Sequence, residues 1–117
     1  MSRILSLTEK IFYWHIANSN PELKKYLLSN VCNIYVESRE YTHCGLYLYV
    51  SSFFNGDIVL PKHIYGEYIS INKEFDADFI IYTDAKSITV MELVSVHFEF
   101  DEVKIASSLL DNVILSP

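Results

Sequence analysis

Glycine and proline are scarce, with three of each in 117 residues. That scarcity excludes collagen-like, linker-like and low-complexity chains. It also leaves no glycine-rich loop to cradle a phosphate. Cysteine occurs twice, at Cys32 and Cys44. Two cysteines do not build the disulfide framework of a small secreted domain. No apolar run approaches the roughly 18 residues that a membrane helix needs. The opening residues, MSRILSLTEK, have no sustained apolar segment and no small-residue cleavage site. A cytosolic protein with free thiols and no membrane association is expected. Catalytic signatures are missing as well, with no GxSxG, HExxH or CxxC.

What is present describes a globular chain. Half of the residues are hydrophobic and 21% are charged, which excludes intrinsic disorder. The length fits a single domain, 1–117, able to bury one core without metal or disulfide help. The net charge is −6, and it is unevenly spread. Up to Lys62 the chain carries six Lys and Arg against five Asp and Glu; after Lys62 it carries three against ten. A negative second half repels nucleic acid and attracts a basic partner.

The first thirty residues carry helical signals. Ser6 and Glu9 have capping-box spacing, and Leu7, Ile11, Trp14 and His15 follow at helical intervals. Asn20 and Pro21 suit the start of a second, short helix with Leu23, Tyr26 and Leu27 on one face. From Val31 the period changes to two. Cys32, Ile34 and Val36 alternate with polar neighbours, and Leu46, Leu48 and Val50 with Tyr47, Tyr49 and Ser51. Asn55-Gly56 has hairpin-turn chemistry, which predicts a turn between Phe53-Phe54 and a strand over Ile58, Val59 and Leu60. Ile64 to Ile71 is rich in β-formers. A strand is expected over Phe79 to Thr83, then a turn over Asp84 to Ser87.

Ile88 to Phe100 is a long strand candidate whose even positions are apolar except Glu92. A bulge near Met91 to Leu93 would turn Glu92 outward. Asp101 suits the N-cap of a last helix with Val103, Ala106, Leu110 and Val113 on its stripe. Strands grouped in one block predict an α+β fold. The expected order is N-terminal helices, a central antiparallel sheet and a C-terminal helix.

Four groups could carry chemistry. His97, Glu99 and Asp101 share a strand face and could converge on a divalent metal, although the same pattern suits a solvated face. Glu74, Asp76, Asp78 and Asp84 form an acidic cluster without the glycine or the closing glutamate of a calcium loop, and suit a negative contact surface. His43 and Cys44 are neighbours that a strand would point apart, so Cys44 reads as a small structural hydrophobe. Tyr47 and Tyr49 form an aromatic face, with Tyr41 and Tyr35 placed near it. Stacking on bases also needs basic residues, and Arg39 alone is basic between Val31 and Leu60. The tyrosines therefore suit a protein interface or a second core layer. No cofactor is expected.

A small, acidic, motif-free α+β chain with tyrosines at 47, 49, 65 and 68 and carboxylates at 74, 76, 78 and 84 resembles the immunity proteins of bacterial toxin systems, those of contact-dependent growth inhibition included. The resemblance is one of type and spans the whole chain. It implies a protein that binds one cognate toxin domain, often a basic nuclease, and blocks its active site. Glu74, Asp76, Asp78, Asp84, Tyr47 and Tyr49 are the expected partner-binding residues. Two alternatives stand beside it. One is a secretion-type chaperone or adaptor that adds a partner strand to a sheet edge. The other is a small metal-dependent enzyme using His97, Glu99 and Asp101.

Overall fold

A computed structural model describes residues 3–52, 59–66, 69–71 and 75–95. The expected Asn55-Gly56 turn, the end of the long strand beyond Ser95 and the C-terminal helix from Asp101 lie outside the described residues. Within them the fold is α+β: α1 (Leu7–Ser19), α2 (Lys24–Ser29), a 3-10 turn (Val31–Asn33), then β1 (Ile34–Tyr41), β2 (Gly45–Ser52), β3 (His63–Tyr65), β4 (Ile69–Ile71), β5 (Phe75–Asp84) and β6 (Ser87–Ser95). All strand pairs are antiparallel, in the order β1-β2-β6-β5, and both β3 and β4 pair along the outer edge of β5.

α1 opens with the capping box that Ser6 and Glu9 predict. The Ser6 side chain accepts the Glu9 amide at 3.1 Å, and the Glu9 carboxylate accepts the Ser6 amide at 2.8 Å. The buried face of α1 differs from the expected stripe. Ile11, Phe12, Tyr13, His15, Ile16 and Ala17 are buried, whereas Leu7 and Trp14 are exposed. Asn20 serves α1 rather than α2: its amide N–H caps Ala17 O, and its side chain donates to Ile16 O and to Tyr65 O, both at 2.7 Å. Those bonds satisfy a carbonyl at the helix end and tie it to β3. α2 starts at Lys24 without a side-chain cap. The Tyr13 hydroxyl holds it to α1 by donating to Leu27 O at 2.5 Å.

α1 packs on one face of the sheet. Ile34, Val36, Leu46, Leu48, Val50, Ile64, Phe79, Ile81, Ile88, Met91 and Leu93 point into that layer. Phe79 meets the Phe12 ring at a 44° tilt, with centroids 5.6 Å apart, and meets His15 edge-on. His15 is thus a core histidine, as its place on the apolar side of the helix suggests. Two glycines allow close approach. A Cβ at Gly66 would lie 2.8 Å from the Phe79 Cβ and 3.1 Å from Ile16. One at Gly45 would lie 2.3 Å from Leu93 O, backbone that cannot turn aside.

Two bulges decide which side chains share a face. In β1 the register shifts between Val36 and Ser38, so Arg39 pairs Leu48 and joins the helix-covered side. In β6 the shift falls at the Tyr82–Thr83 level of β5, around Thr89. The expected bulge is therefore real in effect but sits earlier, before Met91. Ile88, Met91 and Leu93 all face the core, and Glu92 faces away. The β5–β6 turn is Ala85-Lys86, with Ala85 at φ 55. Leu60 and Val59 lie outside any strand; Leu60 is buried and donates its N–H to Ala85 O at 2.9 Å.

Candidate functional site

No described element packs on the face opposite α1. Register places two rows of side chains across it. One row runs Glu40, Tyr47, Glu92, Ile80, Tyr65 through β1, β2, β6, β5 and β3. The next runs Ser38, Tyr49, Val90, Tyr82, His63 through the same strands. Residues two apart on a strand share a face, so the rows are adjacent. Neither row contains Lys or Arg.

Glu92 sits near the centre and is half-buried. Its two carboxylate oxygens are held separately: Tyr82 donates its hydroxyl to one at 2.7 Å, and Tyr47 donates to the other at 3.2 Å. Among the described residues no cation contacts this carboxylate. Tyr49 makes the same kind of bond to Glu40 at 3.1 Å, at the exposed end of the face. His63 packs its ring edge-on to Tyr82 at 5.1 Å and lies 6.1 Å from Tyr65.

These bonds fix the protonation of the tyrosines. The hydrogen bond to Glu92, its desolvated setting and the Glu92 charge push Tyr82 up to about 12. The Glu92 charge, then the bond to Glu92, raises Tyr47, and the bond to Glu40 raises Tyr49. A phenolate beside a carboxylate is disfavoured by like charge. All three hydroxyls therefore stay protonated donors around neutral pH.

The expected site residues have different fates. Tyr47 is half-buried and Tyr49 is 39% exposed, both on this face, and no described helix covers them. Tyr35 and Tyr65 reach the same face and are exposed; Tyr41 pairs Leu46 on the other side. Asp78 and Asp84 are both exposed on β5, but they are six positions apart along the strand, on the order of 20 Å. They do not form one compact cluster. The backbone of Asp76 pairs with Ser70; its side chain and Glu74 lie outside the described residues, as do Tyr68 and the triad His97, Glu99 and Asp101. Cys44 is exposed in the β1–β2 turn beside His43, not packed as a small hydrophobe, and Cys32 is exposed too.

Glu92, Tyr82, Glu40 and His63 are the members that sequence reasoning left out of the site. A signal existed for Glu92: it faces outward among the alternating residues of β6, and the outward positions of β2 are tyrosines. Among the described residues, the interior gap lined by Phe12, Ile16, Leu48, Phe79 and Met91 amounts to about 10 Å³, which holds at most one water. Among the described residues no three His, Cys, Asp or Glu side chains are grouped to hold a metal, and no helix is long and apolar enough to cross a membrane. Comparison with protein-family models, curated proteins and solved structures found no match.

Proposed function

We propose that this chain is a protein-binding module whose open sheet face engages a positively charged partner domain, and that it acts in the cytosol as a neutraliser of a basic, nuclease-type toxin domain. The observation that supports this reading is the composition of the face: tyrosines interleaved with Glu40 and Glu92, and no Lys or Arg in either row. Tyrosine gives large contact area at low entropy cost and is enriched in interfaces. Carboxylates beside it favour a cationic surface such as a phosphate-binding enzyme carries. Addition of a partner strand is less favoured at β1, because Arg3 O accepts the Val36 amide and Ile4 bridges Tyr35 along the start of that edge.

The test uses the partner captured by the intact chain from its native host, identified and then purified. Association and dissociation rates are measured at low and high salt. Changing Glu74→Gln, Asp76→Asn and Asp78→Asn together is expected to slow association at low salt and little at high salt, since charges act mainly on the encounter and salt screens them over about 8–10 Å. Tyr49→Ala is expected to speed dissociation by about ten- to hundredfold, in the hot-spot range. A partner that binds both variants like the parent would remove this reading.

A further inference from the structure

Glu92 is a half-buried carboxylate with hydroxyl partners and no described cation. A carboxylate has about four lone-pair sites, two on each oxygen. Tyr47 and Tyr82 use one on each oxygen, which leaves one on each. The two hydroxyls hold the carboxylate from neighbouring strands, so its orientation is fixed before any partner arrives. Aromatic rings lie on both sides of it: Tyr47 directly across on β2, and Tyr82, backed by His63, on β5.

We infer that Glu92 is the receptor for a single arginine side chain of the partner, with Tyr47 and Tyr82 as the walls against which the guanidinium stacks. This rests on the protein-binding reading of the same face. The chemistry selects arginine over lysine. A guanidinium is planar and presents parallel donors that match the two oxygens of one carboxylate, and its faces stack on aromatic rings. An ammonium is a compact, strongly hydrated charge that satisfies neither feature as well. The same geometry argues against a bound anion, because what Glu92 has left to offer is acceptors and each tyrosine proton is already committed to it. Glu40 differs in kind: it holds one hydroxyl, from Tyr49, at the exposed end of the face. It suits general attraction of a cation rather than a formed receptor.

The probes are capped Gly-Arg-Gly and Gly-Lys-Gly peptides, titrated into the intact chain and followed by the NMR shifts of the Glu92 carboxyl and the Tyr47 and Tyr82 rings. The arginine peptide is expected to saturate at several-fold lower concentration than the lysine peptide. Glu92→Gln is expected to weaken arginine binding about tenfold, as loss of a charge-assisted hydrogen-bonded pair does. Glu22→Gln makes the same charge change before α2 and is expected to leave binding as it was. Thermal unfolding of each variant confirms that the fold is kept. Equal responses to the two peptides, no response to either, or an unchanged response in Glu92→Gln would overturn the inference. The captured partner separates this from the broader reading. If Tyr49→Ala speeds its dissociation while Glu92→Gln leaves its binding unaltered, the arginine receptor is wrong and the binding face stands. If neither variant matters, both fall.

Discussion

Glu9, on α1, and Glu92, on β6, lie on opposite sides of one sheet, and their surroundings differ in kind. Glu9 is 1% exposed and lies under the sheet. Arg39 reaches it from β1 with Nε at 2.7 Å and a terminal nitrogen at 2.9 Å, while the Ser6 amide completes its shell. Every favourable partner of that carboxylate belongs to the chain itself. Glu92 is half-buried, holds two neutral hydroxyls and contacts no described cation. A buried charge must be compensated within the fold, and Glu9 is. A charge at a wet surface need not be, and among the described residues Glu92 has one hydroxyl on each oxygen and acceptor capacity left over. The first is a clasp between α1 and the sheet; the second suits recognition.

The largest effect should come from breaking the clasp. Glu9→Ala removes the carboxylate half of the capping box and leaves the largely buried Arg39 guanidinium without its main acceptor. The expected loss is about 3–5 kcal/mol, read from the denaturant midpoint. Replacing both residues with apolar ones, Glu9→Leu with Arg39→Met, should recover much of it, because no orphaned charge remains. The pair also sets an acid limit. Burial pushes the Glu9 carboxyl up, but the hydrogen bonds and charge of Arg39 and the bonds to Ser6 outweigh it, so the folded value lies below the ordinary 4.5. Glu9 therefore stabilises fully above about pH 4.5, and that contribution fades as pH falls through the lower folded value. In Glu9→Gln the same acid-dependent loss should be missing.

A smaller effect is expected from Gly45→Ala, which touches the sheet without touching either carboxylate. The added methyl would meet Leu93 O at 2.3 Å, forcing β2 and β6 apart where Tyr47 and Glu92 face each other. A loss of about 1–3 kcal/mol is expected, the usual range for overpacking. The Tyr47 bond to Glu92 should lengthen with it, visible as a change in the ring shifts of Tyr47. If stability falls but those shifts do not move, the two strands are not coupled in the way the register implies.

Much of this architecture was legible in the sequence, and the exceptions have physical reasons. The capping box, the change of period near Val31 and the outward turn of Glu92 were readable because each depends on neighbours within a few residues. The Glu9–Arg39 pair was not, since thirty positions separate its members and the β1 bulge that puts Arg39 on the helix side breaks the alternation that would have predicted it. The bulge in β6 was placed too late for a similar reason: Thr89 has no sequence mark of a bulged residue. The Ala85-Lys86 turn carried a weak signal, because alanine is an unusual choice where φ is positive. Tyr47, Tyr49 and Glu92 were visible as outward residues, but not as members of one site. Bringing Tyr47, Glu92 and Tyr82 together required knowing that β6 lies between β2 and β5.

That turn supplies a third prediction. Ala85 at φ 55 sits where a Cβ crowds its own carbonyl, at a cost of roughly 1–2 kcal/mol. Ala85→Gly removes the crowding but adds freedom to the unfolded chain. The net expectation is a stabilisation of about 0.5–1 kcal/mol, seen as a rise in thermal midpoint with no change at Glu92. A destabilised glycine variant would mean that the methyl makes contacts that offset its strain.

The smallest change in stability should come from Glu92→Gln, and that smallness is what distinguishes the two carboxylates. The amide keeps the shape of the side chain and one oxygen acceptor. The hydroxyl that loses its acceptor lies on a face open enough for water to replace it, so unfolding should move by no more than about 0.5 kcal/mol. The tyrosines should report the substitution far more strongly than the melting curve. Tyr82 is held at about 12 first by its bond to Glu92, then by desolvation and the Glu92 charge. Without that charge its titration, followed by ultraviolet absorbance, should fall toward the ordinary 10.0. Tyr49, which depends on Glu40, should titrate as in the parent. The sign for stability follows: a raised tyrosine value stabilises fully below about pH 10 and is lost as pH rises through about 12. The variant should therefore lose less stability over that alkaline interval than the parent does. A large loss of stability at neutral pH would place Glu92 with Glu9 among the groups that hold the fold, and the face would then lose its claim to a carboxylate kept for a partner.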